Sequence, residues 1–268
     1  MPPVHRDRLR YSILAGSTIL QNGYFVSLIR PGIYQGVLKG CPTPSLNCYS
    51  CPFAYFSCPL GLLQHWMVIR SFPFYILGFF AVIGSIAGRI QCGWLCPFGL
   101  LQELLYKIKS VKIKLPRGFL YLKYPILILT LGFSFYAFEP FFCQFICPQG
   151  TLQAGIPHVL LFREYRSLAG ILYHWKLFLL LLFLSLSIFI KRPFCRAVCP
   201  LGLIYGILNR ISLVKYRVDM NLCVKCNLCQ DVCPMDIRIY EDPQSAECIR
   251  CDRCRKVCPR GAIKREVG

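Results

Sequence analysis

The sequence predicts an all-α membrane bundle of about four transmembrane helices with internal inverted repeats, followed by a small α+β domain. First, 55% of the residues are hydrophobic and only 16% are charged, which is typical of a chain that lies in lipid. Second, a short cysteine–proline motif recurs along residues 1–217. Third, residues 218–268 lack a long apolar segment and hold eight closely spaced cysteines. We therefore predict a transmembrane domain at 1–217 and a separate domain at 218–268.

Four apolar segments are candidates for transmembrane helices, because a helix needs about 20 mostly apolar residues to cross a bilayer. They are residues 9–29, 71–88, 119–142 and 167–190. The first segment fits least well, since Gln21 and Asn22 would have to face other helices rather than lipid. An even number of spans puts both chain termini on the same side of the membrane.

A repeated motif follows each predicted span. We call each copy an elbow; it reads Cys-Pro-x-Gly and begins at Cys58, Cys96, Cys147 and Cys199. In three copies another cysteine stands four residues upstream, at Cys92, Cys143 and Cys195. Because a span separates each copy from the next, the copies alternate between the two sides, as in an inverted-topology repeat. Three copies also carry a glutamine that we expect to anchor the elbow rather than to catalyse a reaction, namely Gln64, Gln102 and Gln153.

The distribution of basic residues orients these spans. The chain has 31 lysines and arginines against 12 acidic residues, and the bases concentrate at 107–117 and 191–217. The positive-inside rule places these loops, both termini and residues 218–268 in the cytoplasm of a multi-pass protein of the cytoplasmic (inner) membrane. The bases form no basic–aromatic face, which argues against a nucleic-acid partner. The predicted outer face then carries Cys41, Cys48, Cys51, Cys58, Cys143 and Cys147.

The tail carries the most specific signal in the sequence. Cys-x2-Cys-x2-Cys-x3-Cys-Pro occurs twice, at 223–234 and 248–259. In this pattern three cysteines bind one [4Fe–4S] cluster and the fourth binds the other, as in a two-cluster bacterial ferredoxin. Structural zinc would instead show paired cysteines without the third cysteine and the proline. The predicted ligands are Cys223, Cys226, Cys229 and Cys258 for one cluster, and Cys248, Cys251, Cys254 and Cys233 for the second.

The elbows predict further sulfur-rich sites. A pair of elbows on one face supplies soft ligands for a tetrahedral site, so we expect a third [4Fe–4S] cluster at the inner face. Its ligands would be Cys92, Cys96, Cys195 and Cys199. For a fourth cluster at the outer face, we expect Cys143, Cys147, Cys58 and Cys51, with Cys48 and Cys41 as alternates. The remaining outer cysteines could instead form a disulfide, since that compartment is oxidising.

The remaining candidate residues give weaker indications of function. His65 and His174 could bind haem or contact a quinone, although ordinary interfacial histidines explain them better. Glu139 could relay a proton from quinol, but it lies near the end of its span. The sequence shows no nucleotide-binding or flavin-binding fingerprint and no nucleophile triad.

With these motifs, the chain resembles the membrane polyferredoxin family, roughly over residues 67–265. The resemblance is carried by the span-end pairs Cys92/Cys96 and Cys195/Cys199 and by the tail cysteines. The family includes the quinol-dehydrogenase membrane subunit of periplasmic nitrate reductase, the membrane part of the nitrous-oxide reductase regulator and a cytochrome-oxidase assembly protein. The resemblance implies a carrier of electrons between quinol or cytoplasmic donors and extracytoplasmic enzymes. This chain departs from the pattern by its outer-face cysteines and by lacking the regulator's flavin-bearing domain.

We therefore expect an integral membrane iron–sulfur protein that transfers electrons across the membrane. The electrons would pass between the cytoplasmic ferredoxin-type module and an extracytoplasmic cluster or partner, with the chain as one subunit of a redox complex. One alternative is a quinol dehydrogenase that binds quinone and feeds a periplasmic reductase. Another is an electron donor for the maturation of a different metalloenzyme. The expected partners are the lipid bilayer and redox subunits on either side of it.

Overall fold

The structure, a computed structural model, describes residues 7–29, 32–167 and 169–268. Its α-helices, in chain order, are α1 Arg8–Gln21, α2 Pro59–Val68, α3 Phe74–Ala87, α4 Ile90–Trp94, α5 Pro97–Tyr106, α6 Lys123–Ala137, α7 Pro148–Gly150, α8 Ile156–Leu161, α9 Ile171–Phe189, α10 Pro193–Ala197, α11 Pro200–Leu208, α12 Leu228–Asp231 and α13 Arg253–Val257. The strands are β1 Val214–Val218 and β2 Ile263–Val267. The mostly helical fold predicted from the sequence is confirmed.

The four predicted spans differ in length in the structure. Within the described ranges, two helical stretches are long and apolar enough to cross a membrane, Arg117–Ala137 and α9. Helices α1 and α3 have 14 residues each, or about 21 Å at 1.5 Å per residue, against a bilayer core of about 30 Å. Helix α3 stops where Gly88 turns to a positive φ of 61°. Two of the four predicted spans therefore fall short of spanning length as helices.

The surface of the long helices is apolar. Ile128 and Tyr136 on α6 are 71% and 82% exposed, and α9 exposes Ile171, Phe178 and Leu181. An exposed apolar surface of this kind indicates a face that contacts lipid or another protein. These helices therefore pack only one side against the protein and present the other to a surrounding medium such as lipid.

Helix packing follows the elbow repeat. The helix that begins at one elbow packs against the apolar helix that leads into another elbow. Thus α2 packs on α6, α5 packs on α9, and α11 packs on α3. Elbow one is paired with elbow three, and elbow two with elbow four. This exchange brings cysteines that are far apart in sequence close together in space.

A single buried core joins the two elbow pairs. It contains Cys58 and Cys147 from one pair together with Cys96 and Cys195 from the other. Aromatic rings fill the space among them, and the rings of Phe98 and Phe194, for example, meet edge to face with centroids 5.1 Å apart.

The tail folds around a two-stranded antiparallel sheet and docks on the bundle. Strand β1 pairs with β2 in the register Val214↔Val267 to Val218↔Ile263. The indole of Trp94 donates to the carbonyl oxygen of Arg250 at 3.1 Å. The Asn209 amide donates to the carbonyl oxygens of Ser245 and Cys248 at 2.9 and 2.8 Å. The docking contacts are therefore specific hydrogen bonds from the bundle to the tail backbone.

Candidate iron–sulfur sites

Three elbows contain the same wide turn. The backbone N–H groups of Cys96, Cys147 and Cys199 donate to the carbonyl oxygen five residues earlier, at 3.1, 2.8 and 3.0 Å. Such π-type turns occur mostly as single turns and often at functional sites. The turn encloses the upstream cysteine of each elbow, which is Cys92, Cys143 or Cys195. The first elbow has Ala54 at this position and lacks the turn.

Each elbow cysteine precedes the first turn of a helix. Proline stands at the first helical position of α2, α5, α7 and α11, where its missing N–H costs nothing. The Cys199 Sγ accepts a hydrogen bond from the backbone N–H of Gly202 at 3.4 Å. Burial raises the pKa of the Cys58 thiol to about 11, and the backbone N–H of Gly61 opposes this rise. The helix start therefore favours the thiolate, which is the form that binds metal.

The second and fourth elbows bring four thiols together in what we call the Cys92 group: Cys92, Cys96, Cys195 and Cys199. All four side chains are buried. Burial and the neighbouring Cys195 and Cys92 raise the pKa of the Cys96 thiol to about 12. Burial also raises the pKa of the Cys92 thiol, Arg89 and Arg192 oppose that rise, and a bound iron–sulfur cluster would supply further positive charge among the four sulfurs. The structure thus brings together all four cysteines predicted for the inner site.

The glycine of the elbow motif accommodates an arginine from the paired elbow. A Cβ at Gly202 would lie 2.5 Å from Arg89 Nη2, and a Cβ at Gly99 would lie 3.0 Å from the Arg192 guanidinium. The sequence interpretation treated Arg192 only as an orientation signal. The repeated spacing Arg-x2-Cys-x3-Cys-Pro, at residues 89–97 and 192–200, could have identified both arginines.

The first and third elbows surround a cavity of about 310 Å³. It is lined by four cysteines, which we call the Cys58 group: Cys48, Cys58, Cys143 and Cys147. Cys48 comes from a loop rather than an elbow, and its Sγ lies 3.6 Å from the position of a Cβ on Gly150. Its backbone N–H donates to the Gln153 side chain at 3.2 Å. The third elbow therefore fixes the position of Cys48.

The two other candidates for the fourth outer ligand lie elsewhere. The Cys51 thiol donates to the carbonyl oxygen of Gln153 at 3.2 Å and is not among the residues that line the cavity. Cys41 is exposed. All 18 cysteines fall in the described ranges and none forms a disulfide. The structure brings Cys48 to the cavity instead of Cys51, because the loop at 41–57 turns the Cys51 thiol toward α1 and residue 153.

The tail cysteines line two small adjoining cavities. One is lined by Cys223, Cys226, Cys229 and Cys258, and we call it the first tail site. The other, which we call the second tail site, includes Cys233, Cys248, Cys251 and Cys254, and Cys229 lines both cavities. Each cavity contains one of the two predicted ligand sets, so the fourth cysteine of each motif does reach across to the other motif.

The second tail site touches the Cys92 group. Cys92 and Cys251 share one buried cluster with Met235 and Ile249, and Cys233 packs against it. The contact is close, since a Cβ at Gly93 would lie 2.4 Å from the carbonyl oxygen of Ile249. Glycine at residue 93 therefore allows the tail to approach the bundle.

The spread of the thiols bears on the kind of metal site. In the part of the chain that the structure describes, no three cysteine, histidine or acidic side chains converge on a point that a single metal ion could occupy. Zinc requires all its sulfur ligands about 2.3 Å from one centre. A [4Fe–4S] cluster takes each thiolate at a different iron, so its ligands can lie farther apart. The cavities lined by four cysteines fit a cluster better than a single ion.

The residues considered for haem, quinone or proton transfer lie on the surface. His65, His174 and Glu139 are exposed, and none of them lines the cavity of the Cys58 group. The His174 ring instead contacts the carbonyl oxygen of Gly170 at 3.0 Å.

Comparison with known proteins agrees with this geometry. A family model described as a 4Fe–4S binding domain matches residues 71–116, 124–163 and 174–218, and each match contains one elbow with its upstream cysteine. A second model of the same description matches residues 216–239 and 245–264. An uncharacterized protein of Methanocaldococcus jannaschii is 36% identical over 196 residues, which is 69% of this chain and 75% of the relative. The chain belongs to the membrane polyferredoxin family.

Other relatives of this polyferredoxin include a ferredoxin-type protein and a regulatory protein. The ferredoxin-type protein NapH of Haemophilus influenzae is 29% identical over 165 residues, covering 59% of this chain and 51% of NapH. The regulatory protein NosR of Stutzerimonas stutzeri is 27% identical over 154 residues, which is 54% of this chain but 20% of NosR. No solved structure matches the chain. The polyferredoxin thus binds [4Fe–4S] clusters and has an iron–sulfur electron-transfer role.

Proposed function

We propose that this polyferredoxin crosses the cytoplasmic membrane with four helices and transfers electrons between a cytoplasmic tail and the Cys58 group on the opposite side. Four [4Fe–4S] clusters, when bound, supply the one-electron chemistry. The protein supplies the thiolates and fixes their spacing, and it buries those of the Cys92 group. The transmembrane domain at 1–217 and the ferredoxin-like domain at 218–268 would exchange electrons with redox partners on their respective sides.

The buried cluster that contains both Cys92 and Cys251 carries this proposal, because it brings the Cys92 group against the second tail site. The Cys92 group in turn shares the bundle core with Cys58 and Cys147. The four groups of thiols thus follow one another from the tail to the far elbow pair. An electron carrier needs such a series, whereas four separate structural sites do not.

The membrane position rests on exposed apolar surface and on charge. Helices α6 and α9 bury little of their apolar length, and lipid would cover what they expose. The shorter helices α1 and α3 overlap the segments 9–29 and 71–88, whose remaining residues would complete the crossings. The basic segments at 107–117 and 191–217 favour the cytoplasm for the tail.

The test uses anaerobically purified full-length protein in vesicles that contain trapped ferricyanide. Dithionite outside should reduce the trapped acceptor through the protein, and intact protein should contain about sixteen irons per chain. Cys96→Ser should abolish the transfer and remove one cluster signal from low-temperature EPR, while the tail signals stay. About eight irons per chain, or transfer no faster than in protein-free vesicles, would contradict the proposal.

A further inference from the structure

Two buried glutamines make equivalent contacts with cysteine sulfur. Gln102 Nε2 donates to Cys195 Sγ at 3.1 Å, and Gln64 Nε2 donates to Cys143 Sγ at 3.1 Å. Both glutamine side chains are fully buried. Each stands six residues after its elbow cysteine and reaches the upstream cysteine of the paired elbow.

The surroundings orient each amide with its N–H toward the sulfur. Gln64 Oε1 accepts the backbone N–H of Phe142 at 2.9 Å, so the nitrogen must point the other way. The second proton of each amide goes to the carbonyl oxygen four residues earlier, Leu60 at 3.2 Å or Phe98 at 3.3 Å. An amide rotated by 180° would place oxygen against oxygen at these carbonyls.

The same position in the other two elbows makes no such contact with sulfur in the part of the chain that the structure describes. Gln153 in the third elbow instead accepts the backbone N–H of Cys48. Tyr205 in the fourth elbow is fully buried, and within the described ranges no hydrogen bond joins its side chain to a cysteine. The contact between an amide and a cysteine sulfur is therefore specific to Gln102 and Gln64.

A buried glutamine at each of these two positions carries a free-energy cost that its hydrogen bonds must offset. Burying an amide costs about 1–3 kcal/mol unless its hydrogen bonds are good, and leucine would fill the same space in an apolar core. A neutral thiol is a weak acceptor. A sulfur that carries negative charge is a strong one, because hydrogen bonds to charged groups are about twice as strong as neutral ones. The amides therefore fit sulfurs that bear the charge of a metal cluster.

We infer that Gln102 and Gln64 are positioning residues that raise the reduction potentials of the clusters bound by the Cys92 group and the Cys58 group. This inference rests on the proposed function. On reduction the bound cluster gains one electron, no bond forms or breaks, and the amide keeps its proton. The N–H dipole stabilises the more negative reduced state, and hydrogen bonds to the sulfurs are among the factors that set such potentials.

The experiment compares Gln102→Met and Gln64→Met, which keep length and apolar packing but have no N–H donor. EPR-monitored redox titration of the full chain is the measurement, with signals assigned through Cys96→Ser and Cys58→Ser. Gln102→Met should lower the midpoint potential of the cluster bound by the Cys92 group and leave that of the Cys58 group unchanged. The expected shift changes the ratio of reduced to oxidised cluster about tenfold, which corresponds to 59 mV for one electron. Gln64→Met should shift only the Cys58 group, so each variant serves as the control for the other. Unchanged midpoints, or equal shifts of both centres in each variant, would overturn the inference.

A second measurement covers the case in which a methionine variant loses iron. ENDOR spectra of the unsubstituted protein, labelled with ¹⁵N at the glutamine side-chain amide, should show ¹⁵N coupling to both reduced centres. Absence of that coupling would overturn the inference. If the unsubstituted protein contains no signals beyond those of the tail, the proposed function fails instead, so the two failures are distinguishable.

Discussion

Arg192 donates a hydrogen bond from Nη1 to the backbone carbonyl oxygen of Cys92 at 2.8 Å. Arg89 makes the reciprocal hydrogen bond and donates from Nη2 to the backbone carbonyl oxygen of Cys195 at 3.0 Å. Both arginines are almost completely buried. Each elbow of this pair is therefore held by the arginine that precedes the other, and neither site-forming turn is complete without its partner.

Arg192→Met should destabilise the protein and release iron from the Cys92 group. The substitution removes the donor to the Cys92 carbonyl and one of the three arginines around the Glu103 carboxylate, and losing a hydrogen bond to a charged group costs about 1.5–3 kcal/mol. Thermal unfolding and iron content in detergent are the measurements. Arg210→Met, at an exposed position, is the matched control and should retain both. Equal behaviour of the two variants would show that the reciprocal contact contributes little.

The surroundings of Glu103 predict that the free energy of unfolding depends on pH. Its carboxylate is buried among three arginines, Arg10, Arg192 and Arg253. Burial alone raises the pKa of Glu103, but the surrounding guanidinium groups outweigh it and hold the pKa well below its usual range. Since the unfolded glutamate titrates at about 4.3, this stabilisation is complete above about pH 5 and is lost as the pH falls toward the folded pKa.

The variant Glu103→Gln should therefore be less stable at pH 7 by about 3 kcal/mol and should lose less stability than the unsubstituted protein on acidification. Unfolding followed by tryptophan fluorescence between pH 4 and 7 is the measurement, under anaerobic conditions. Parallel pH profiles for the two proteins would contradict the assigned role of Glu103, because any acid loss of clusters is common to both.

The elbows and the tail could be predicted from the sequence because their geometry is local. A fixed spacing around proline determines a turn and a helix start, so the cysteines predicted for the Cys92 group and for both tail sites lie together in the structure. Cys48 could not be found this way. The first elbow has Ala54 where the others have cysteine, and the substitute comes from a loop whose course depends on Gln153, more than a hundred residues away.

The end of α1 was beyond the sequence pattern, whereas the end of α3 was not. The predicted segment 71–88 ends at Gly88, and α3 stops at Ala87, just before this residue with its positive φ. The predicted segment 9–29 continues past α1, which ends at Gln21, whose side chain hydrogen-bonds to Leu95 and Ser45. That end is accompanied by tertiary contacts, which apolar periodicity does not contain.

Glu247→Gln should loosen the tail on the bundle. Glu247 pairs with Arg89 and Lys123, which are both buried, and connects the tail to the second elbow and to α6. The amide would leave two buried cations without a counter-charge, at a cost of about 3 kcal/mol. Electron transfer from the tail to the Cys92 group should slow while tail signals persist. Glu241→Gln, in an exposed pair with Arg238, is the control and should transfer at the unsubstituted rate.

Cys48→Ala should remove about four irons per chain, whereas Cys51→Ala and Cys41→Ala should retain the full content. The reason is geometric, since Cys48 lines the cavity with Cys58, Cys143 and Cys147 while the Cys51 thiol points to the Gln153 carbonyl. Iron analysis together with EPR shows which of the three variants loses a cluster. Iron loss in Cys51→Ala with none in Cys48→Ala would mean that the loop at 41–57 rearranges when the cluster binds, and that the sequence-based ligand set is the correct one. Because all three variants alter the same loop, a general loss of folding would affect them alike and could not imitate the selective loss expected for Cys48.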